Sequence, residues 1–180
     1  MKCRELIYSD LQRYGGGFSI WMFQPGFRYM TVFRICQSCY RDRRLMFLGR
    51  ILNLVLIHLS HKYGIQIPRT VKIGKGFYIG HFGTIVVHSS AVIGDNVNIS
   101  QGVTIGATNR GNRQGIPTIG NQVYIGPGAK IIGKITVVNN VAIGANAVVT
   151  KDVPDNAVVA GVPAKIISMQ GGEGYINRIV

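Results

Sequence analysis

From Val71 onward an aliphatic residue, commonly followed by glycine, recurs at every sixth position. Ile73, Ile79, Val87, Ile93, Ile99 and Ile105 form one series, and Ile119, Ile125, Ile131, Val137, Ile143 and Val149 resume it in register. No helix uses that period. A hexad supplies one short flat strand and one turn, and three hexads close a triangular coil of a solenoid. The aliphatic residue is expected to face the axis and stack on its counterparts in the coils above and below. The fourth residue after it is small or β-branched, as at Ala91, Val97, Val103, Val123, Ala129, Val141 and Ala147. That residue is expected to let the backbone turn the corner, with glycine relieving strain there.

The register breaks twice. A slip of two residues falls between Ile79 and Val87, around His81, Phe82 and Gly83. A longer excursion separates Ile105 from Ile119, and its residues Asn109, Arg110, Gly111, Asn112, Arg113, Gln114 and Gly115 are polar, basic and flexible. Loops that interrupt a rigid solenoid are where function concentrates.

Before Ile65 the pattern is different. Phe33, Ile35, Met46, Leu48, Ile51, Leu52, Val55, Leu56 and Leu59 recur at helical spacing with arginines between them, which predicts two amphipathic helices. Gly15, Gly16, Gly17, Pro25 and Gly26 are read as the loop before them. The expected organisation is a helical region at 1–64, a β-solenoid at 65–168 and a tail at 169–180. A chain of 180 residues holds one such domain and one active site.

Lysine and arginine outnumber the acids 20 to 7, so the chain should attract polyanions, anionic lipid or phosphate-bearing cofactors. No nucleic-acid module or aromatic-interleaved basic stripe follows Ile65, and nucleic acid is not expected as a partner. Arg28, Arg34, Arg41, Arg43, Arg44 and Arg50 form either a contact with anionic lipid or a solvated helix face. Cys3, Cys36 and Cys39 give no disulfide framework, and the lone CxxC lacks partners for zinc, so no metal is expected and a reducing cytoplasm is the natural setting. The start of the chain lacks the apolar core of a signal peptide. The apolar run from Leu45 to Ser60 is broken by Arg50, Asn53 and His58, too polar and short to span a bilayer.

The segments KIGKGFYIGHFGTIVV, VNISQGVTIGAT, VYIGPGAKIIG, VAIGANAVVTKDVP and AGVPAKII resemble hexapeptide-repeat acyltransferases of the serine acetyltransferase type. Among these the chain looks closer to the O-acetyltransferases of colanic-acid and capsule biosynthesis, which SDLQR and VFRICQ also resemble. The resemblance implies left-handed parallel β-helices in a homotrimer, with acetyl-CoA in the clefts between subunits. It places the general base at His81, inside the first register break. A hydroxyl attacking a thioester must lose its proton, and imidazole as a residue type can accept one near neutrality. By the same similarity Gly106, Ala107, Gly126, Pro127 and Ala145 lie along the pantetheine arm, with Lys151 and Lys165 near the nucleotide. The glycines and alanines are equally open to a reading as plain corner residues.

Three positions depart from that family's pattern. Gln66 stands where an aspartate orients the base, Gly80 replaces a substrate-binding aspartate, and Ile116 replaces a second histidine. Together with Arg113, Gln66 and Gly80 are the positions expected to bind the acceptor or orient the base. With the amino-acid-recognition set reduced, a sugar hydroxyl in exopolysaccharide or capsule synthesis is the expected acceptor. L-serine, as in cysteine biosynthesis, is the alternative, for which the aliphatic end of the GYINRIV tail offers a faint parallel to a partner-docking tail. A non-catalytic trimeric scaffold is the third reading. A metal hydratase would need three histidines, and only His81 and His88 fall in the solenoid; His88, His58 and His61 are read as outward or helix-face residues.

Overall fold

The computed structural model describes residues 1–17 and 19–180. The repeats form a left-handed parallel β-helix with three faces. The first face stacks Ile65–Gln66, Ile85–Val87, Thr104–Gly106, Lys130–Ile132 and Val148–Val149. The second stacks Lys72–Ile73, Val92–Ile93, Thr118–Ile119 and Thr136–Val137. The third stacks Tyr78–Ile79, Asn98–Ile99, Tyr124–Ile125, Ala142–Ile143 and Val158–Ala160, and the antiparallel segment Lys165–Ser168 closes it. Like sits on like: Ile73 pairs with Ile93 and Ile93 with Ile119, as Ile79 pairs with Ile99 and Ile99 with Ile125.

One expectation about the hexad is corrected. Ala91, Val97, Val103, Val123, Ala129, Val141 and Ala147 do not turn the corners; their side chains are buried in the core beside the aliphatic series. The turn belongs to the residue just before each inward pair. Asn96, Gln122, Asn140, Asn146 and Asn156 adopt positive φ there, as do Gly76, Gly102 and Gly128. Glycine and asparagine tolerate that left-handed conformation better than other residues, which explains why they recur at these points.

The glycine that follows the aliphatic residue has another role. A Cβ on Gly126 would lie 2.7 Å from the carbonyl oxygen of Ile143 and 2.9 Å from the amide nitrogen of Ala145, both rigid backbone of the next coil. Gly126→Ala is therefore expected to cost roughly 1–3 kcal/mol, as overpacking does. A Cβ on Gly106 would meet the end of the Ile132 side chain at 3.1 Å and the Thr104 methyl at an ordinary 3.6 Å, so Gly106→Ala should keep the wild-type melting temperature. Thermal denaturation of the two variants checks both.

Among the described residues the helical region contains four α-helices, α1 (Cys3–Arg13), α2 (Ser19–Phe23), α3 (Pro25–Arg41) and α4 (Met46–Tyr63), of which α3 and α4 are the two expected from the apolar spacing. Pro25 opens α3 because a first-turn residue needs no N–H donor, and Gly64 ends α4 in the left-handed conformation. Gly26, read above as loop, lies inside α3. A Cβ there would be 2.7 Å from the Ile79 carbonyl, so α3 presses directly on the third-face strand. Cys36 and Cys39 are buried free thiols of α3, and no group of three or more metal-ligating side chains occurs among the described residues. No helix among them is long and apolar enough to cross a membrane.

Arg34 is corrected more strongly. Instead of facing lipid or solvent it is 2% exposed, paired with Asp10 at 3.0 Å, and donates to the carbonyls of Ile73 and Gly74. It ties α1 and α3 to the second face. The tail also packs inward: Asn96 exchanges two hydrogen bonds with Val180, Asn98 donates to the Tyr175 carbonyl, and the Tyr175 ring stacks on Tyr124 at 4.5 Å. GYINRIV thus packs along the chain's own third face, with Tyr175 and Ile179 exposed.

Candidate active site on two edges of one face

The register break around His81 has a measurable form. Ile79 pairs with Ile99 and Val86 with Thr104, so seven positions (86 − 79) on one coil span what five (104 − 99) span on the next. The two extra residues push the chain outward at the edge between the third and first faces. His81 and Phe82 are exposed there, and no hydrogen bond from the chain fixes the His81 ring among the described residues. Gly83 closes the bulge at φ 115°, a conformation that favours glycine.

The base of this bulge is held firmly. The Tyr14 hydroxyl donates to the Ile79 carbonyl at 3.1 Å and accepts from the Ile79 amide at 3.0 Å, while its ring packs on Tyr78 at 4.4 Å. Burial pushes that hydroxyl well above the usual phenol range, which keeps it a neutral donor. Phe82 packs edge-to-face on Tyr63 at 5.8 Å, and the Arg28 guanidinium lies 5.5 Å from the centre of the same Tyr63 ring. The Nε of Arg28 is buried without a hydrogen-bond partner among the described residues. None of Tyr14, Tyr63 and Arg28 stands out in the sequence as part of a site, because each reaches the edge from the helical region through tertiary packing.

Above His81 the same edge is a spine of backbone hydrogen bonds, from Gly102 to Gly83, Gly128 to Gln101, and Asn146 to Pro127, at 2.8 to 2.9 Å. Gly126, Pro127 and Ala145 therefore line up with His81 on one edge. Lys165, exposed, follows the topmost turn of that edge, where Val148 donates to Gly161. Gly106, Ala107 and Lys151 do not share it. They lie on the opposite border of the first face, where the long loop also departs.

Arg113 goes with that second edge. Its loop is pinned by paired hydrogen bonds between Thr108 and Gly115 and by the Lys134 amide donating to the Arg113 carbonyl. The guanidinium pairs with Asp152 at 2.9 Å, and the Thr136 amide together with Arg113 holds that carboxyl below the usual carboxylate range. Within one chain Arg113 does not reach His81. Ile116 packs against the core beneath the loop.

Gln66 and Gly80 flank the His81 edge without forming a recognition pair. Gln66 points outward on the first face beside Val86. A Cβ at Gly80 would lie 3.2 Å from the Tyr78 ring, which Tyr14 holds in place, so the packing itself calls for a small residue. Lys130, not singled out from the sequence, stands on the first face between the two edges and donates to the Gly102 carbonyl and, at 3.2 Å, to Thr104. His88 is a turn residue whose Nδ1 accepts from the Ser90 amide at 3.2 Å; His58 and His61 are exposed on α4.

No family model matches the chain. It is 35% identical over 156 residues to a serine acetyltransferase of Synechococcus elongatus, covering 86% of this chain and 62% of that protein. It is 37% identical over 147 residues to a serine acetyltransferase of Helicobacter pylori, covering 82% of this chain and 84% of that one. A crystal structure of serine acetyltransferase from Brucella abortus in complex with coenzyme A superposes with a TM-score of 0.77 at 34% identity, covering 94% of this chain and 67% of that one. These relatives overturn the sugar acceptor and give no support to a closer kinship with colanic-acid and capsule enzymes. That expectation rested on side chains missing at Gln66, Gly80 and Ile116, and a missing group cannot name the substrate that replaces it.

Proposed function

Because the chain belongs to the serine acetyltransferase family, we propose that it transfers acetyl from acetyl-CoA to the hydroxyl of L-serine, with His81 as general base. The observation that carries this reading is the outward bulge that presents one imidazole beside an edge of small residues. His81 takes the proton from the serine Oγ as that oxygen attacks the thioester carbonyl. The tetrahedral oxyanion is met by N–H donors along the edge, and the proton passes from the imidazolium to the departing CoA sulfur, leaving the base neutral. Arg28, stacked on the Tyr63 ring that packs against Phe82, supplies the positive charge that pairs with the serine carboxylate.

The cofactor-side positions divide between two edges of one face, which supports a site completed by two subunits of a homotrimer. Gly126, Pro127, Ala145 and Lys165 come from the His81 edge, and Gly106, Ala107, Lys151 and Arg113 from the loop edge of a neighbour. The outer surface of α4 favours association too: Phe47 is 75% and Leu54 67% exposed, an apolar stripe that a second subunit would cover. Contact with anionic lipid has fewer residues to draw on than the sequence implied. Arg34 is buried and Arg28 is stacked, which leaves Arg41, Arg43, Arg44 and Arg50 at the surface.

Thiol release from acetyl-CoA, measured with L-serine beside a panel of sugars, tests the proposal. Turnover is expected with serine, and Arg28→Ala should raise its KM by about tenfold or more, the scale of one charge-assisted hydrogen bond. Absence of turnover with serine would end this reading. Gly106→Ala, thermally silent by the packing argument above, should raise the KM for acetyl-CoA without moving that for serine.

A further inference from the structure

At the helical end of the β-helix, two coils below Gly106 and Ala107 on the loop edge, a cavity of about 530 Å³ lies between α1, α3 and the start of the second face. Its walls carry Arg41, Arg69 and Lys72, with Thr70 and Tyr40 beside them and the apolar side chains of Leu6 and Ile93 beneath. Arg34 also lines it but is neutralised by Asp10. Only two ion pairs form among the described residues, and neither involves Arg41, Arg69 or Lys72. No acidic residue lines the cavity.

The arrangement is more ordered than a solvated basic surface. The Arg69 guanidinium lies 3.7 Å from the centre of the Tyr40 ring, which fixes it by stacking and leaves its N–H donors unspent. The turn that carries it is clamped by Gln37, whose amide donates to the carbonyls of Arg69 and Val71 at 2.6 and 2.8 Å. Holding a cation before its partner arrives lowers the ordering cost of binding. A planar guanidinium with free donors, a second guanidinium and an ammonium group around one concavity match the oxygens of a phosphate, while Tyr40, Leu6 and Ile93 offer an apolar wall to whatever bears it.

We propose that this cavity binds a phosphate-bearing anion at a site separate from acetyl transfer. The ligand is either a soluble phosphate compound or the headgroup of an anionic phospholipid, which share this chemistry.

Calorimetric titration of the full chain with pyrophosphate, in low salt and with saturating acetyl-CoA present, is the first arm. Sedimentation with phosphatidic-acid vesicles, against phosphatidylcholine vesicles, is the second. Binding in either arm that is weakened about tenfold or more in the Arg69→Ala/Lys72→Ala variant, with acetyl transfer unchanged, is the expected result. Loss confined to the first arm identifies a soluble ligand, and loss in the second identifies a headgroup. Tyr40→Leu, which removes the stack while keeping every charge, should weaken the same binding in part. Binding that the double variant leaves intact, that saturating acetyl-CoA abolishes, or that is absent from both arms overturns the proposal.

Discussion

Replacing His81 with alanine is expected to lower kcat for acetyl transfer by about 10² to 10⁴, or roughly 3 to 5 kcal/mol of transition-state stabilisation. The melting temperature should stay at the wild-type value. Both parts follow from the same geometry. The ring stands outside the core on a two-residue bulge and makes no hydrogen bond within the chain among the described residues, so its loss leaves no cavity and no orphaned partner. The bulge itself is held by Tyr14, Gly26 and Phe82, none of which the substitution touches. A low rate with an intact fold therefore reports on chemistry. His88→Ala is the matched control: that side chain accepts one turn hydrogen bond, and its removal should leave the rate nearly unchanged. Turnover by His81→Ala equal to wild type would remove His81 as the general base.

The parts of the molecule legible from the sequence are those fixed by local repetition. The six-residue series became columns of Ile on Ile because each coil sees only its neighbours, and a repeat in the chain is then a repeat in space. The bulge that carries His81 was legible for the same reason, since a break in so regular a pattern marks a bulge. What the pattern hid was the division of labour within a hexad. Small size at Ala147 or Val103 reads as a corner, but it reflects the narrow interior of the coil, and the corner falls on the asparagine or glycine before it. Contacts that join distant parts of the chain carried no sequence signal. Arg34 sits among helical-spaced apolar residues and looks like a surface cation; only its approach to Asp10 and to the second face shows otherwise. The acceptor was misread because three missing side chains were weighed above similarity that extends over most of the chain.

That buried pair is the subject of the other large effect. Arg34→Ala is expected to destabilise the fold by about 3 to 5 kcal/mol, the usual result of stripping one partner from a buried ion pair. The guanidinium contributes more than charge here. It meets both carboxylate oxygens of Asp10 and the carbonyls of Ile73 and Gly74, so its removal leaves several buried acceptors without donors at once. Asp10 retains the Phe77 amide at 2.8 Å, too little to keep a buried carboxylate comfortable. Burial already pushes this carboxyl upward against the pull of Arg34, and without the guanidinium only the backbone amides of Phe77 and Gly76 oppose that push. A carboxyl whose folded value is raised is best accommodated in its neutral form, so its favourable contribution is present at low pH and is lost as pH rises through the folded value. The variant's deficit should consequently be greatest near neutrality and shrink as the pH falls toward 5. Chemical denaturation of both proteins across that range measures it. A deficit independent of pH would mean that the lost carbonyl bonds, and not the stranded carboxylate, hold the helical region to the β-helix.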